Sequence, residues 1–450
     1  MNNKTIAGDL QYKEKRFPFV MIGRAVTIID SHGKYFEDFE NAEDEDVIWG
    51  WANNGMPIAF LACRFNKINS PSNTIKFTIQ GYIELSLEIE VYPIKFDLIS
   101  FTSKAIDTFY SPNHYVEYTI PRTFDKADRT NIVLEAKTKQ PSESEVCFEF
   151  ENFSFRLSFN KMLNFQNKSI LEVTPELQII TETPQDTTKA LEWVVKIYDI
   201  LCFLNFRKDI YFDEIKLYKS KGDLYSNIGK LHIFTSIAPD TFDSTAFDSI
   251  IYEDIPHNNY AKLFMVVSNW RNDVTYNQYF FPKDKSDSKL LDNAKWLTTA
   301  ISFDSMFDKK HKTFKSDKNS SFAIAKTEVL KLIDELISKN PDNKYYEKLR
   351  VPIEKEGILE EQFNHYIKVN NVELCDTINR LKNKFNIDDT NYGNIYSKKR
   401  NLVAHGTIQP ITDKDCFTYN LIRAMLYVYF LKEAEVPTEN IKQILKKLFR

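Results

Sequence analysis

The sequence predicts an α+β protein, with an N-terminal β-rich, antiparallel, sandwich-like domain followed by a C-terminal all-α helical bundle. Three observations carry this. Apolar residues alternate with polar ones through much of residues 1–182, apolar spacing turns helical after residue 286, and the polar stretch Lys283-Asp284-Lys285-Ser286-Asp287-Ser288-Lys289 separates the two regimes. The expected division is therefore 1–235 for the β-rich domain, 236–285 for a connector with a short helix, and 286–450 for the bundle. A chain of 450 residues is too long for one ordinary core, so two domains are expected.

From Ile75 to Val91 every odd position except Gly81 is apolar, which reads as strand with a bulge or bend at the glycine. Val146, Phe148 and Phe150 are followed by Phe153, Phe155, Leu157 and Phe159, and the parity flips at Glu151-Asn152, where a tight turn is expected. Further strand-like stretches are Phe19 to Ile29, Asn131 to Ala136, Leu177 to Thr181, Glu214 to Tyr218 and Leu231 to Phe234. Trp49-Gly50-Trp51 reads as an aromatic–glycine loop, at most part of a recognition surface. Between Thr187 and Phe206 the residues Leu191, Val194, Val195, Tyr198, Leu201 and Cys202 follow helical spacing, so a helix closes the first domain. Ala261 to Asn272 reads as a short connector helix.

Beyond the polar boundary, Leu290 to Phe307, Phe322 to Lys339, Glu373 to Phe385, Tyr392 to His405 and Asp413 to Ala434 are helical. Ile324, Val329, Leu332, Ile333 and Leu336 form an expected core stripe on the second of these, and Phe417, Leu421, Ala424, Met425 and Val428 one on the last. Five or six helices of this length suggest an antiparallel bundle.

The net charge of −4 divides into −9 over residues 1–285 and +5 over residues 286–450, so the second half is the one that tolerates a polyanion. Five scattered cysteines with no C-x-x-C pair point to a reducing, cytoplasmic setting without a disulfide or zinc framework. No apolar run is long enough to span a bilayer, and no leader-like apolar stretch opens the chain, so no membrane partner is expected. The histidines outside the bundle motif show no H-x-x-x-H pattern, no G-x-x-x-x-G-K-[ST] occurs and no G-x-S-x-G elbow is present. The expectation is a protein without metal or cofactor.

The chemistry concentrates in Lys398-Lys399-Arg400-Asn401-Leu402-Val403-Ala404-His405-Gly406. Asp388-Asp389-Thr390 offers N-cap oxygens for a helix that runs to His405, and Gly406 with Pro410 supplies its stop. Asn401 and His405, four apart, share a face, and Arg400 lies beside it. A histidine in the last helical turn, near unpaired carbonyls and beside a guanidinium, suits acid–base work on a phosphodiester.

Arg400-Asn401 followed by His405-Gly406, on the penultimate long helix of a C-terminal bundle, resembles the R-x(4–6)-H motif of the HEPN superfamily. The layout resembles ApeA-type proteins, which join a β-rich N-terminal domain to an Apea-like HEPN domain. Asn293 to Phe307 looks like the first HEPN helix, and Asp304 stands where that family more usually has a glutamate. Trp270 and the helix Leu191 to Phe203 also look like family features. An Arg-x4-His pair with asparagine after the arginine arises by chance about 0.02 times in a chain of this composition.

The resemblance implies a metal-independent endoribonuclease that acts on RNA, tRNA among the candidates, in abortive infection against phage, with a phage-derived trigger. It implies a homodimer or higher homo-oligomer whose HEPN domains build a composite site. His405 would serve as general base on the ribose 2′-OH or general acid to the leaving oxygen, Arg400 would hold the phosphate, Asn401 would orient either partner, and Asp304 would pair with Arg400 or His405. Lys398 and Lys399 would be the nearby RNA-binding residues. Plainer readings stand beside these. Arg400 and His405 could cap a helix end, Asn401 could be a solvated helical residue, Asp304 an N-cap or surface carboxylate, and Lys398 and Lys399 a solvated face. A second reading of the whole is a non-catalytic HEPN module that dimerises or binds RNA or nucleotide inside a regulatory or sensor protein.

Overall fold

The computed structural model describes residues 5–30, 35–39, 42–65, 74–86, 94–114, 116–119, 135–139, 145–149, 152–163, 171–222, 224–235, 242–243, 245, 248–270, 280–311, 314, 321–341, 343–355 and 358–450. The parts of the expected elements at 87–91, 131–134, 150–151 and 271–272, and much of the expected connector, lie outside them. The chain divides into two compact units, Met1–Glu253 and Asp254–Arg450, so the division falls within the expected connector.

The first unit begins with β1 (Thr5–Tyr12), β2 (Lys15–Ile22), β3 (Ala25–Ile29), α1 (Phe36–Phe39), β4 (Glu45–Ala52) and β5 (Pro57–Phe65). Next come β6 (Thr74–Thr78), β7 (Gly81–Leu85), β8 (Lys95–Thr102) and α2 (Lys104–Phe109). After β9 (Val116–Thr119), β10 (Glu135–Thr138), β11 (Val146–Glu149), β12 (Phe153–Leu163) and β13 (Leu171–Asp186), the unit ends with α3 (Lys189–Asn205), β14 (Glu214–Lys221) and β15 (Leu224–Ile233). Strands β9 and β10 pair apart from the rest, and the other thirteen form one antiparallel sheet.

That sheet has a closed part and an open part. Strands β1, β2, β3, β6, β5 and β4 pair in that order, and β4 returns to β1, closing a six-strand ring. From β5 an arm continues through β7, β15, β14, β8, β13, β12 and β11. The sandwich-like expectation thus takes the form of one sheet curled on itself at one end. The alternation at Ile75 to Leu85 spans the junction. Both β6 and β7 lie along β5, with Thr78 opposite Arg64 and Gly81 opposite Leu61; the break falls at Ile79-Gln80, and Gly81, the first residue of β7, is already paired with β15 as well.

Alternation fills the ring with the inward residues of each strand. Leu10, Phe17, Phe19, Met21, Val26, Ile28, Phe60 and Phe77 are buried in a single cluster. Phe19 meets Phe60 edge-on at 5.1 Å, and Phe39 from α1 stacks on Tyr12 at 4.7 Å. Each such side chain taken out of water contributes about 1.5–3 kcal/mol before entropy is counted. Trp49-Gly50-Trp51 is a correction: it lies within β4, paired to β1 on one side and β5 on the other, and not in a loop. Two tryptophans around a glycine suit a pleated strand as well as a turn, and Trp51 carries the Arg16 guanidinium over its ring at 4.6 Å. In the arm, α3 packs Trp193, a residue outside the expected stripe, edge-on against Phe153 at 4.9 Å, while of that stripe Val194, Leu201 and Cys202 are buried and Val195 is exposed.

The second unit is helical: α4 (His257–Ser268), α5 (Asn293–Lys310), α6 (Ser321–Lys339), α7 (Tyr345–Lys355), α8 (Ile358–Val369), α9 (Asn371–Phe385), α10 (Tyr392–Ala404), α11 (Asp413–Glu433) and α12 (Thr438–Leu448). Beyond residue 286 that is eight helices among the described residues where five or six were expected. Helix α11 is central. Phe417, Leu421, Ala424, Met425 and Val428 are buried as expected, and so are Ile422, Leu426 and Tyr427 on its other faces. Its start is fixed by a capping box, Thr412 with Asp415. The expected core stripe of α6 is only partly one. Ile333 is buried, whereas Ile324, Val329 and Leu332 are 51, 41 and 60% exposed. No helix among the described residues is long and apolar enough to cross a membrane.

Candidate functional site

The site is built on α10. Its N-cap is Asn391, whose side-chain oxygen accepts from the Asn394 N–H at 3.1 Å, and not the preceding Asp388-Asp389-Thr390. Asp389 instead accepts from the Asn391 N–H at 3.0 Å, one step back in the same turn. Asn391 also donates to the Glu360 carboxylate at 2.7 Å and accepts from Asn364 at 3.0 Å, which ties the start of α10 to α8. Gly393 makes this approach possible, because a Cβ there would lie 2.3 Å from the Glu360 carbonyl oxygen and 2.7 Å from Asn364 Nδ2.

One turn on, Tyr396 is fully buried. Its ring stacks on Phe363 of α8 at 4.5 Å and meets Phe303 of α5 edge-on at 5.7 Å. Its hydroxyl donates to Asp304 Oδ1 on α5. The other carboxylate oxygen of Asp304 accepts from Arg400 Nε at 3.3 Å. Tyr396 and Arg400 are four residues apart and so face Asp304 together. Asp304 therefore pairs with Arg400, one of the two partners expected of it, and is clamped from the other side by a tyrosine that sequence reasoning did not single out. The available signal was the spacing of four from Arg400, but a tyrosine inside an amphipathic helix reads as core.

Burial pushes the Asp304 carboxyl above the usual carboxylate range, against the opposing pull of the Tyr396 hydroxyl and the Arg400 guanidinium. Burial, with the Asp304 carboxylate next in weight, drives the Tyr396 phenol well above its ordinary value, so the phenol stays a donor. The Asp304 side chain is 16% exposed and that of Arg400 32%, so the guanidinium is anchored through Nε while part of it still meets solvent.

His405 is the C-cap of α10, and its backbone N–H bonds to the Asn401 carbonyl at 3.1 Å. Gly406 follows with φ +75, its N–H bonded to the Val403 carbonyl at 3.0 Å and the Thr407 N–H to the Leu402 carbonyl at 3.0 Å. This is a Schellman ending, which needs a left-handed residue at Gly406. The His405 side chain is exposed, and Asn401 is half-buried on the same face. Leu402 and Ile408, both apolar, are 36 and 86% exposed on either side of it in the chain.

The two lysines part company. Lys398 is exposed. Lys399 departs from both sequence readings: it is buried, with its ammonium 3.0 Å from the Asp415 carboxylate, and so is neither a solvated residue nor an open RNA contact. Residues 398 and 399 are 100° apart on a helix, which is enough to send one outward and the other against α11. The pair Lys399–Asp415 joins α10 to the capping box of α11. Arg400, Asp304 and Tyr396 are thus brought together, while Asn401 and His405 sit on the adjacent face at the helix end.

No three His, Cys, Asp or Glu side chains among the described residues converge in a way that could hold a metal ion. All five cysteines are free. Compared with known proteins, residues 6–254 match the family model described as ApeA N-terminal domain 1, a span that ends before the helices carrying this site. No curated protein and no solved structure matches the chain.

Proposed function

We propose that this chain, which belongs to the ApeA family, is an endoribonuclease effector of bacterial anti-phage defence with its catalytic groups on α10 of a HEPN-type helical domain. The observation that carries the reading is the Tyr396–Asp304–Arg400 linkage beside an exposed His405 at the end of the same helix. A guanidinium fixed through Nε keeps its two terminal nitrogens for a phosphate, where it can offset charge building on the non-bridging oxygens. The histidine would take the proton of a ribose 2′-OH as that oxygen attacks phosphorus, or give a proton to the departing 5′-oxygen. The products would carry 2′,3′-cyclic phosphate, and DNA, with no 2′-OH, would be inert. Asn401, on the face of His405, would orient the imidazole or the phosphate.

One chain offers one histidine at this point, and acid–base cleavage is served best by two. Leu402 and Ile408 give the end of α10 an apolar rim suited to a second copy, so the working form proposed is a homodimer through the helical domain, taking RNA, tRNA among the candidates, and released by a phage-derived trigger. One observation favours the non-catalytic alternative. Among the described residues the His405 imidazole has no hydrogen-bond partner to orient it, as a residue of a binding surface would not need one.

The test is cleavage of total RNA and tRNA by the purified chain in EDTA, wild type beside Arg400→Ala and His405→Ala. Cleavage by the wild type alone, leaving 2′,3′-cyclic ends, is the expected result. If all three stay silent both in vitro and in phage-infected cells, the binding-module reading replaces it.

A further inference from the structure

The first unit contains a cavity of about 450 Å³ that the proposed function does not use. It lies between α3, the segment 210–215 and β15, with Arg24 from the β2–β3 turn at its edge. This is where the arm of the sheet departs from the ring, so one occupant would touch both. The volume falls within the range of small-molecule sites, roughly 300–1,000 Å³.

Its apolar and aromatic walls include Val194 and Val195 from α3, Ile210 and Phe212 from the segment before β14, Leu231 from β15 and Phe234 just after it. Val195 is 38% exposed, which is unusual for a valine on a helix otherwise packed into the sheet, and leaves apolar surface open to the cavity. The charged groups are unevenly satisfied. Lys230 shares the Glu214 carboxylate with Lys216, at 3.0 and 2.6 Å, and His232 Nε2 lies 3.2 Å from the Glu84 carboxylate without a hydrogen bond to it. Asp213 is engaged with Tyr211 and with Lys104 at the start of α2. Arg24 differs from all of these. One terminal nitrogen donates to the Phe234 carbonyl at 2.6 Å, which fixes the guanidinium at the rim, and no carboxylate among the described residues pairs with it. The other charged groups here balance among themselves, Lys230 and Lys216 against Glu214, and Asp213 beside Lys104, which leaves Arg24 as the cation at the cavity not paired with a carboxylate among the described residues.

We propose that this cavity binds a small anion with a planar aromatic body, of the size of a nucleoside monophosphate. Arg24 takes the anionic group through its remaining N–H edge, and the ring lies against Phe212, Phe234 and the valines of α3. A carboxylate or a phosphate on the aromatic body would satisfy the arginine equally, and the choice of probes separates them.

The experiment is calorimetric titration of the full chain with AMP, UMP and indole-3-acetate, and with adenosine as the uncharged counterpart. At least one of the three anions is expected to bind with a Kd below about 1 mM. Arg24→Gln, an exposed turn residue, should weaken it about tenfold or more, as loss of a charge-assisted hydrogen bond does. Val195→Trp, which fills the space from the exposed face of α3, should abolish binding with the melting temperature retained, and Lys221→Gln at the β14–β15 tip should change nothing. AMP binding without indole-3-acetate assigns a phosphate, and the reverse a carboxylate. The proposal falls if no anion binds, if adenosine binds as tightly as AMP, or if Arg24→Gln and Val195→Trp bind like wild type. It also falls if Arg400→Ala removes the binding, since the anion would then sit on the helical domain.

Discussion

Replacing Gly393 with alanine tests how closely α10 must approach α8. The added Cβ would meet the Glu360 carbonyl oxygen at 2.3 Å, against an ordinary C···O approach of about 3.3 Å, so the helices must part by about 1 Å. The Asn364 amide, 2.7 Å from that Cβ, can rotate away. Doing so would release its bonds to the Gly393 N–H and to Asn391. Overpacking costs about 1–3 kcal/mol and a weakened N-cap about 1 more, while alanine in a helix returns about 0.5–1. The net is a destabilisation of about 2 kcal/mol, or about 4–8 °C in the midpoint of the helical unit. Circular dichroism at 222 nm during heating measures it, and the proposed RNA cleavage should fall with it because Arg400 and His405 ride on the displaced helix. Adding Asn364→Ala should recover only part of the loss, since the backbone carbonyl remains. A midpoint unchanged or raised would mean that helix propensity outweighs the contact, and would refute the idea that this glycine sets the position of α10.

Three further outcomes are expected. Tyr396→Phe leaves the buried Asp304 carboxylate without one donor and should cost about 1–3 kcal/mol, read as a lower urea midpoint. Gly406→Val forces a β-branched residue to φ +75 and should cost at least about 1–2 kcal/mol, with the proposed cleavage reduced through a misplaced His405; equal urea midpoints for variant and wild type would contradict the Schellman geometry. Burial, with Asp213 close by, pushes the Asp107 carboxyl up to about 6. The folded state therefore holds its proton longer than the unfolded chain, and stability of the first unit should fall as pH rises from about 4 through about 6. Asp107→Asn should flatten that slope in urea titrations across the window, and an unchanged slope would assign it to other groups.

Much of this could be read from the sequence, and the failures have physical causes. Strict alternation at Ile75 to Leu85 and at Val146 to Phe159 gave strands because one face of each meets a core. It could not say that β6 and β7 run along the same neighbour, since pairing is decided by residues far away. Strand β4 was missed because a glycine between two tryptophans resembles a turn when its partners are unknown. The apolar stripe on α6 was real, but periodicity shows that a helix has an apolar face and not what covers it. At the candidate site, spacing placed Asn401 with His405, and the family resemblance set Asp304 beside Arg400 or His405. It could not see Tyr396 join them or Lys399 turn inward, because both depend on what α5 and α11 bring to the neighbouring surface.

The junction of ring and arm also sets a timetable for the chain during synthesis. The ring can close once β6 has been made, and β7 then pairs at once along β5. Its other edge waits for β15, where Ile83 meets Leu231, about 150 residues later. At about 5–20 residues per second that is roughly 7–30 s during which Tyr82, Ile83 and Leu85 present an unpaired strand edge on a nascent polypeptide. Slow delivery of the second partner makes this edge a natural place for a chaperone to hold, and the point where heavy expression would first drive the protein into inclusion bodies.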